Sequence, residues 1–207
     1  MNCLGEMIVM EINASLVKQL RDKTGVGMMD CKNALIEAEG NIEKAFDILR
    51  TKGHAKAEKR AGKATKEGVI ESYIHPGSRL GVLLELNCET DFVAKTEDFI
   101  ILAKDLAMQV AASNPKAIQR EDITKEDIEH ELEIYRTQAR NEKKPEQIVE
   151  KIAQGKLEKY FKEVCLLEQV YIKDSNQSVK ELIKDYQAKL GENIQISRFA
   201  RFRLGEE

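Results

Sequence analysis

Apolar and polar positions along this chain repeat with two different periods. Over residues 1–53 the period is helical. Leu16, Val17 and Leu20 share one face of a first helix that begins near Asn13 or Ser15, residues whose side-chain oxygens can accept from the free amides of a first turn. It stops at Gly25, which suits the left-handed conformation past a helix C-terminus. A second helix is expected over residues 28–39, with Leu35, Ile36 and Ala38 apolar, closed by Gly40. Asn41 caps a third, which carries Ile42, Ala45, Phe46, Ile48 and Leu49 and ends before Gly53. Three helices of about ten residues close a small and marginal core.

Residues 52–66 break the pattern. Lys52, Lys56, Lys59, Arg60, Lys63 and Lys66 stand against Glu58 alone, with alanines interleaved. The composition is helical by propensity but offers no apolar face to bury, so it reads as an exposed linker helix, residues 54–66, between two domains.

The period then changes to two. Residues 69–75 and 80–87 are strand-like, and Pro76-Gly77-Ser78 between them is turn chemistry, which predicts a hairpin. A helix follows with Phe99, Ala103, Leu106 and Val110 on one stripe, ended by Asn114-Pro115. Residues 121–144 are highly charged with sparse apolar points and read as a solvent-exposed helical segment. Shorter helices are expected at 145–153, 156–168 and 178–190, the last stopped by Gly191. Residues 194–204 alternate apolar and polar side chains as a half-buried strand does. The expected fold class is α+β: an N-terminal three-helix module over residues 11–53, the basic linker helix, and over 67–207 an α+β core with a small antiparallel sheet and several helices. Residues 1–10 read as an N-terminal extension, with Met1, Met7 and Met10 each a candidate start.

The 207 residues fit one or two domains at about 150 residues each. With 33 Lys+Arg against 36 Asp+Glu the net charge is −3, which excludes binding to nucleic acid by bulk charge. Cys3, Cys31, Cys88 and Cys165 lie far apart, with no Cys or His at ligand spacing from another, so reduced buried thiols are expected and neither a metal nor another cofactor. No apolar run approaches the roughly 18 residues of a membrane span, and the start lacks the basic region of a secretion signal, which together point to the cytosol.

Catalytic motifs fail on inspection. A phosphate loop over residues 53–65 lacks its first glycine at Ala57 and has Ala64 where Ser or Thr would hold magnesium. His130-Glu131 begins a zinc-protease pattern that ends at Ile134. His54, His75 and His130 are isolated, and no nucleophile elbow occurs, so the chain does not read as an enzyme. The basic connector alone has a nucleic-acid flavour, but no aromatic lies between Leu49 and Val69 to stack on a base. Two binding functions stay open on these residues alone: an RNA-associated helical protein using the connector, and an adaptor using residues 11–53 only.

Three segments in this order resemble the bacterial elongation factor Ts family, the nucleotide-exchange factors of elongation factor Tu. They are residues 16–21 with 24–32 (Leu-Val-Lys-Gln-Leu-Arg, then Thr-Gly-Val-Gly-Met-Met-Asp-Cys-Lys), residues 87–94 (Asn-Cys-Glu-Thr-Asp-Phe-Val-Ala), and residues 166–169 with the turn 191–194. The resemblance covers nearly the whole chain from about residue 11, in the short form of the family. It implies an N-terminal module similar to ubiquitin-associated domains, lying against the nucleotide domain of elongation factor Tu through Lys18, Arg21, Met28 and Met29. It implies that Thr90, Asp91, Phe92 and Val93 enter the partner near its magnesium and phosphates, that His75 is a secondary contact, and that two copies pair through the C-terminal sheet. Ala200 leaves no cysteine at that position to lock such a dimer. No membrane and no direct nucleic-acid contact are implied.

The residues themselves leave two points open. Adjacent helical positions diverge by about 100°, so Met28 and Met29 cannot both enter one small core; either one is exposed or both fill a gap between domains. Thr90 or Asp91 can be an N-cap with Phe92 a buried staple, or Phe92 can project.

Overall fold

The computed structural model describes residues 13–206. The expectations for residues 1–10 lie outside them. The chain forms two units. One holds the described residues up to Lys63 together with Lys184–Asn193; the other holds Ala64–Ile183 and the chain from Ile194 onward.

The first unit is helical. Helix α1 (Ala14–Thr24) starts where the Asn13 side chain accepts from Ser15 N at 2.9 Å, and ends at Gly25, φ 68°, whose N–H returns to Arg21 O. Helix α2 (Met28–Glu37) is followed by Gly40 at φ 80°. The Asn41 side chain accepts from Lys44 N at the start of helix α3 (Ile42–Arg60). Val17, Leu20, Cys31, Ala34, Leu35, Ala45 and Leu49 form the core. Ile36, expected among them, is exposed.

The third helix does not end before Gly53. It runs through Gly53 to Arg60, so residues 54–60 are helical but not a separate helix. The glycine serves close packing rather than termination. A Cβ at Gly53 would stand 2.6 Å from Ala188 Cβ, on the last turns of helix α8 (Val179–Leu190). Around that approach Asp185 Oδ1 meets His54 Nε2 at 2.6 Å and Arg50 Nε at 3.3 Å, and Lys184 donates to Glu58 at 2.7 Å.

In the second unit β1 (Glu67–Ile74), β2 (Leu80–Cys88) and β5 (Gln195–Arg203) form an antiparallel sheet in the order β1-β2-β5. Helix α5 (Glu97–Ser113) covers one face, setting Phe99, Leu102, Leu106 and Val110 against Val82, Leu84 and Leu86. It ends at Asn114, as expected, and that residue takes the left-handed conformation. The charged segment forms helix α6 (Lys125–Asn141), paired with a single helix α7 (Glu146–Val164) where two short helices were expected. Gly155 does not break α7. It lies on the exposed side, where its propensity cost of about 1 kcal/mol is outweighed by Val149, Ala153, Leu157 and Phe161 burying one face.

A second, two-stranded sheet, β3 (Val170–Tyr171) with β4 (Asp174–Ser178), has no counterpart among the expected elements. Polar side chains on α5 hold it. Asp105 accepts from the Tyr171 hydroxyl and, at 2.6 Å, from Lys173; Gln109 bonds Val170 O and Ile172 N.

Candidate functional site

Strand β2 ends at buried Cys88, whose thiol donates to Thr90 O at 3.1 Å. The chain then makes one short helical turn, α4 (Asp91–Ala94). Thr90 is its N-cap: its backbone is extended and its hydroxyl accepts from Val93 N at 3.4 Å. Thr96 closes the other end, donating to Val93 O at 2.8 Å and accepting from Phe99 N at the start of α5. The turn is thus held at both ends, and Ala94 is buried beneath it.

With Ala94 facing inward, Phe92, about 200° away around the turn, must face out. It is 80% exposed. The capping half of the buried-staple reading therefore holds, and the staple half does not; Phe99, after the second cap, is the phenyl ring that enters the core. Val93 is half-buried between them. A solvated benzyl group on a rigid four-residue turn is unusual for a fold with 42% hydrophobic residues to bury.

Asp91, next to it, is half-exposed, and Lys95 donates to its Oδ2 at 2.6 Å one turn on. That bond holds the Asp91 carboxyl below the usual carboxylate range and raises the Lys95 ammonium. Sequence reasoning missed Lys95, although its i,i+4 spacing from Asp91 was available. The group so formed is a projecting aromatic beside an ionised carboxylate.

His75 is not part of this group. It follows β1 at the hairpin, while Cys88 pairs with Glu67 at the opposite end of the ladder, about 25 Å along the strands. His75 Nδ1 lies 3.0 Å from the Tyr73 hydroxyl and the ring is exposed.

In the first unit Lys18 and Arg21 are exposed, three residues apart on α1. Gly27 caps α2 without a side chain, and both methionines that follow are exposed, Met28 at 55% and Met29 at 67%. Exposed Ile36, two turns beyond Met29, extends the same face. The basic segment is partly neutralised, Lys52 by Glu37 and Lys56 by Asp30.

The sheet has a second apolar surface, on the side away from α5. Ile70, Ile74, Leu83 and Phe202 are all exposed there, with Leu204 beyond the end of β5. A β-bulge in β5 adds Phe202 to this face. Glu85 pairs with Arg198 and Leu86 with Ile196, leaving Ser197 as the extra residue. The bulge lets Ile196 face α5 and turns Phe202 outward, although strict alternation would give them one side.

Among the described residues no three His, Cys, Asp or Glu side chains are grouped to hold a metal ion, and no helix is long and apolar enough to cross a membrane. Cys31, Cys88 and Cys165 are buried and form no disulfide.

Comparison with known proteins identifies the family. The sequence model of the family described as Elongation factor TS matches residues 10–206. The chain is 60% identical to Elongation factor Ts of Syntrophomonas wolfei over 94% of its length and 91% of that protein. It is 59% identical to Elongation factor Ts of Caldanaerobacter subterraneus (94% and 98% covered) and 57% identical to that of Thermotoga neapolitana (96% and 100% covered).

Proposed function

The chain belongs to the elongation factor Ts family, and on that premise we propose that it is a guanine-nucleotide exchange factor for elongation factor Tu, acting in the cytosol without covalent chemistry. The observation that carries this reading is Phe92, which is presented to solvent on a turn fixed at both ends.

A GTPase holds its nucleotide through magnesium and backbone donors around the phosphates. A protein that binds tightly only when those contacts are lost weakens the nucleotide, and the nucleotide weakens it by the same factor. A thousandfold effect needs about 4 kcal/mol of coupling. Phe92, seated in a partner pocket, supplies about 2 kcal/mol or more of this as an aromatic anchor. The Asp91 carboxylate, ionised at neutral pH, disturbs the magnesium shell by charge. Thr90 and Val93 fix the turn through their mutual hydrogen bond. Lys18, Arg21, Met28 and Met29 form a second contact patch, adding affinity by effective concentration, and His75 forms a further one. The chain remains on the nucleotide-free partner until GTP enters.

Two copies pair through the sheet face of Ile70, Ile74, Leu83 and Phe202. The support for this pairing is that exposed apolar face itself, which a monomer would leave in water.

Stopped-flow release of labelled GDP from elongation factor Tu tests the reading. We expect accelerated release by the intact chain and about thirtyfold less acceleration with Phe92→Ala. An unchanged release rate with the intact chain overturns the assignment.

A further inference from the structure

A hollow of about 600 Å³ opens in the second unit beside the hairpin turn, on the α5 side of the sheet. His75, Arg79, Arg201 and Arg203 converge on it, and Leu80, Met108 and Ile172 supply its apolar wall. Convergence of four basic side chains on one concavity is unexpected in a chain of net charge −3.

Backbone geometry fixes the cluster. Arg201 pairs across the ladder with buried Val82, so its side chain lies on the α5 side; it is 10% exposed and its Nε donates to Ala111 O at 3.4 Å. Arg203 lies on the same side two residues on, opposite Leu80. Leu204 N donates to Arg79 O, which fastens the hairpin to the end of β5. Arg79 has no acidic side chain within 4 Å among the described residues.

One acid already uses part of this cluster. Glu206 Oε2 accepts from Arg201 Nη1 at 2.7 Å, and its Oε1 accepts from Arg203 Nη1 at 3.2 Å, a single carboxylate spanning two guanidinium groups. Glu206 does not itself line the hollow. The chain thus shows what chemistry these arginines accept.

We propose that this hollow is a docking site for an acidic segment of a protein partner, whose carboxylates engage Arg79, Arg201 and Arg203 and whose aliphatic carbons pack on Leu80, Met108 and Ile172, with Glu206 as the internal competitor. A carboxylate is favoured over a nucleic-acid phosphate because Glu206 already presents one to this cluster, and because the hollow offers bases little aromatic surface beyond Tyr73 and His75. Arg201 and Val82 place the hollow on the α5 side of the sheet, while Arg79, Leu80 and Arg203 at its rim also adjoin Ile74, Leu83 and Phe202 of the apolar face. The site goes beyond the exchange reading, and its test contains no elongation factor Tu, so either can fail alone.

The test is titration of the full-length, isotope-labelled chain with acetyl-Glu-Glu-Glu-amide, read by the Nε–H resonances of Arg79, Arg201 and Arg203. We expect saturable shifts in all three. Glu206→Gln, which removes the competitor, should lower the half-saturating concentration about threefold, and Arg79→Gln should raise it about fivefold, with the amide spectrum elsewhere unchanged in both. Absence of saturable shifts, or half-saturation indifferent to both variants, overturns the proposal. A single-stranded RNA trimer that saturates the same resonances at lower concentration would make the site one for nucleic acid and would equally overturn it.

Discussion

Lys95 Nζ stands 2.6 Å from Asp91 Oδ2 across one helical turn, and Phe92, between them in sequence, points away into solvent. The ion pair therefore holds the carboxylate while leaving the benzyl group unobstructed. Neither residue contributes to a core. What the turn offers is a fixed shape, and its consequences for binding can be separated from those for folding.

Truncating Phe92 should leave the fold intact and weaken the function. The ring is solvated, so Phe92→Ala should change the thermal midpoint by no more than an ordinary surface substitution, while GDP release from the partner slows by about thirtyfold relative to the intact chain. Phe99→Ala is the contrast, because Phe99 is buried: about 3–5 kcal/mol of stability should be lost, read by chemical denaturation.

Lys95→Met should act on Asp91. Because the Lys95 hydrogen bond is the largest cause of the lowered Asp91 titration, that titration should move up toward the ordinary carboxylate value, as followed by carboxyl carbon NMR. A folded carboxyl pKa below its unfolded value gives a contribution present above the unfolded value and lost as pH falls through the folded one. The variant should therefore shift the loss of the ionised form to higher pH. With the ammonium gone, approach to a phosphate-bearing partner should slow several-fold at low salt, a difference erased near 1 M salt where the screening length is about 3 Å.

Asp105 should matter for the β3–β4 hairpin. It is buried and accepts from both Tyr171 and Lys173, so Asp105→Ala leaves a buried hydroxyl without its acceptor. The cost should be about 2–3 kcal/mol, and hydrogen exchange should show lost protection first over β3 and β4.

The parent chain should sediment as a dimer, and the double variant Leu83→Glu with Phe202→Glu as a monomer at the same concentration. Both side chains are exposed, so the thermal midpoint of the unit should hold apart from the part contributed by association. A dimer that persists with both glutamates in place would refute pairing through this face.

Burial pushes the Cys165 thiol up to about 11. The folded value exceeds the unfolded one, so its contribution is complete below the ordinary thiol range near 9 and is lost as pH rises from there toward 11. Stability should fall across that window, and Cys165→Ala should flatten the decline.

Most of the element boundaries were legible because their causes are local. Asn13, one of two expected caps, and Asn41 cap their helices, Gly25 takes the left-handed conformation that stops its helix, α5 ends at Asn114, and Pro76-Gly77-Ser78 turns between paired strands. The capping role of Thr90 was local too. Residue type and spacing within a few positions are enough to set these features, and ordered motifs of the same kind are enough to indicate the family.

Other features needed the third dimension. Gly53 carries the same local signal as Gly25, yet Ala188, 135 residues later, occupies the space where its Cβ would be, and the helix continues. Whether Phe92 was a staple or a projection rested on which side of a four-residue turn Ala94 had to bury, a choice made by the core beneath it. The alternation of residues 194–204 predicted a strand but not its sidedness, because the bulge at Ser197 switches the face of everything after it. Local chemistry sets where a helix or strand can start and stop. Which of its faces meets solvent depends on packing by residues distant in the chain, and in this protein it is the solvent-facing side chains that carry the proposed function.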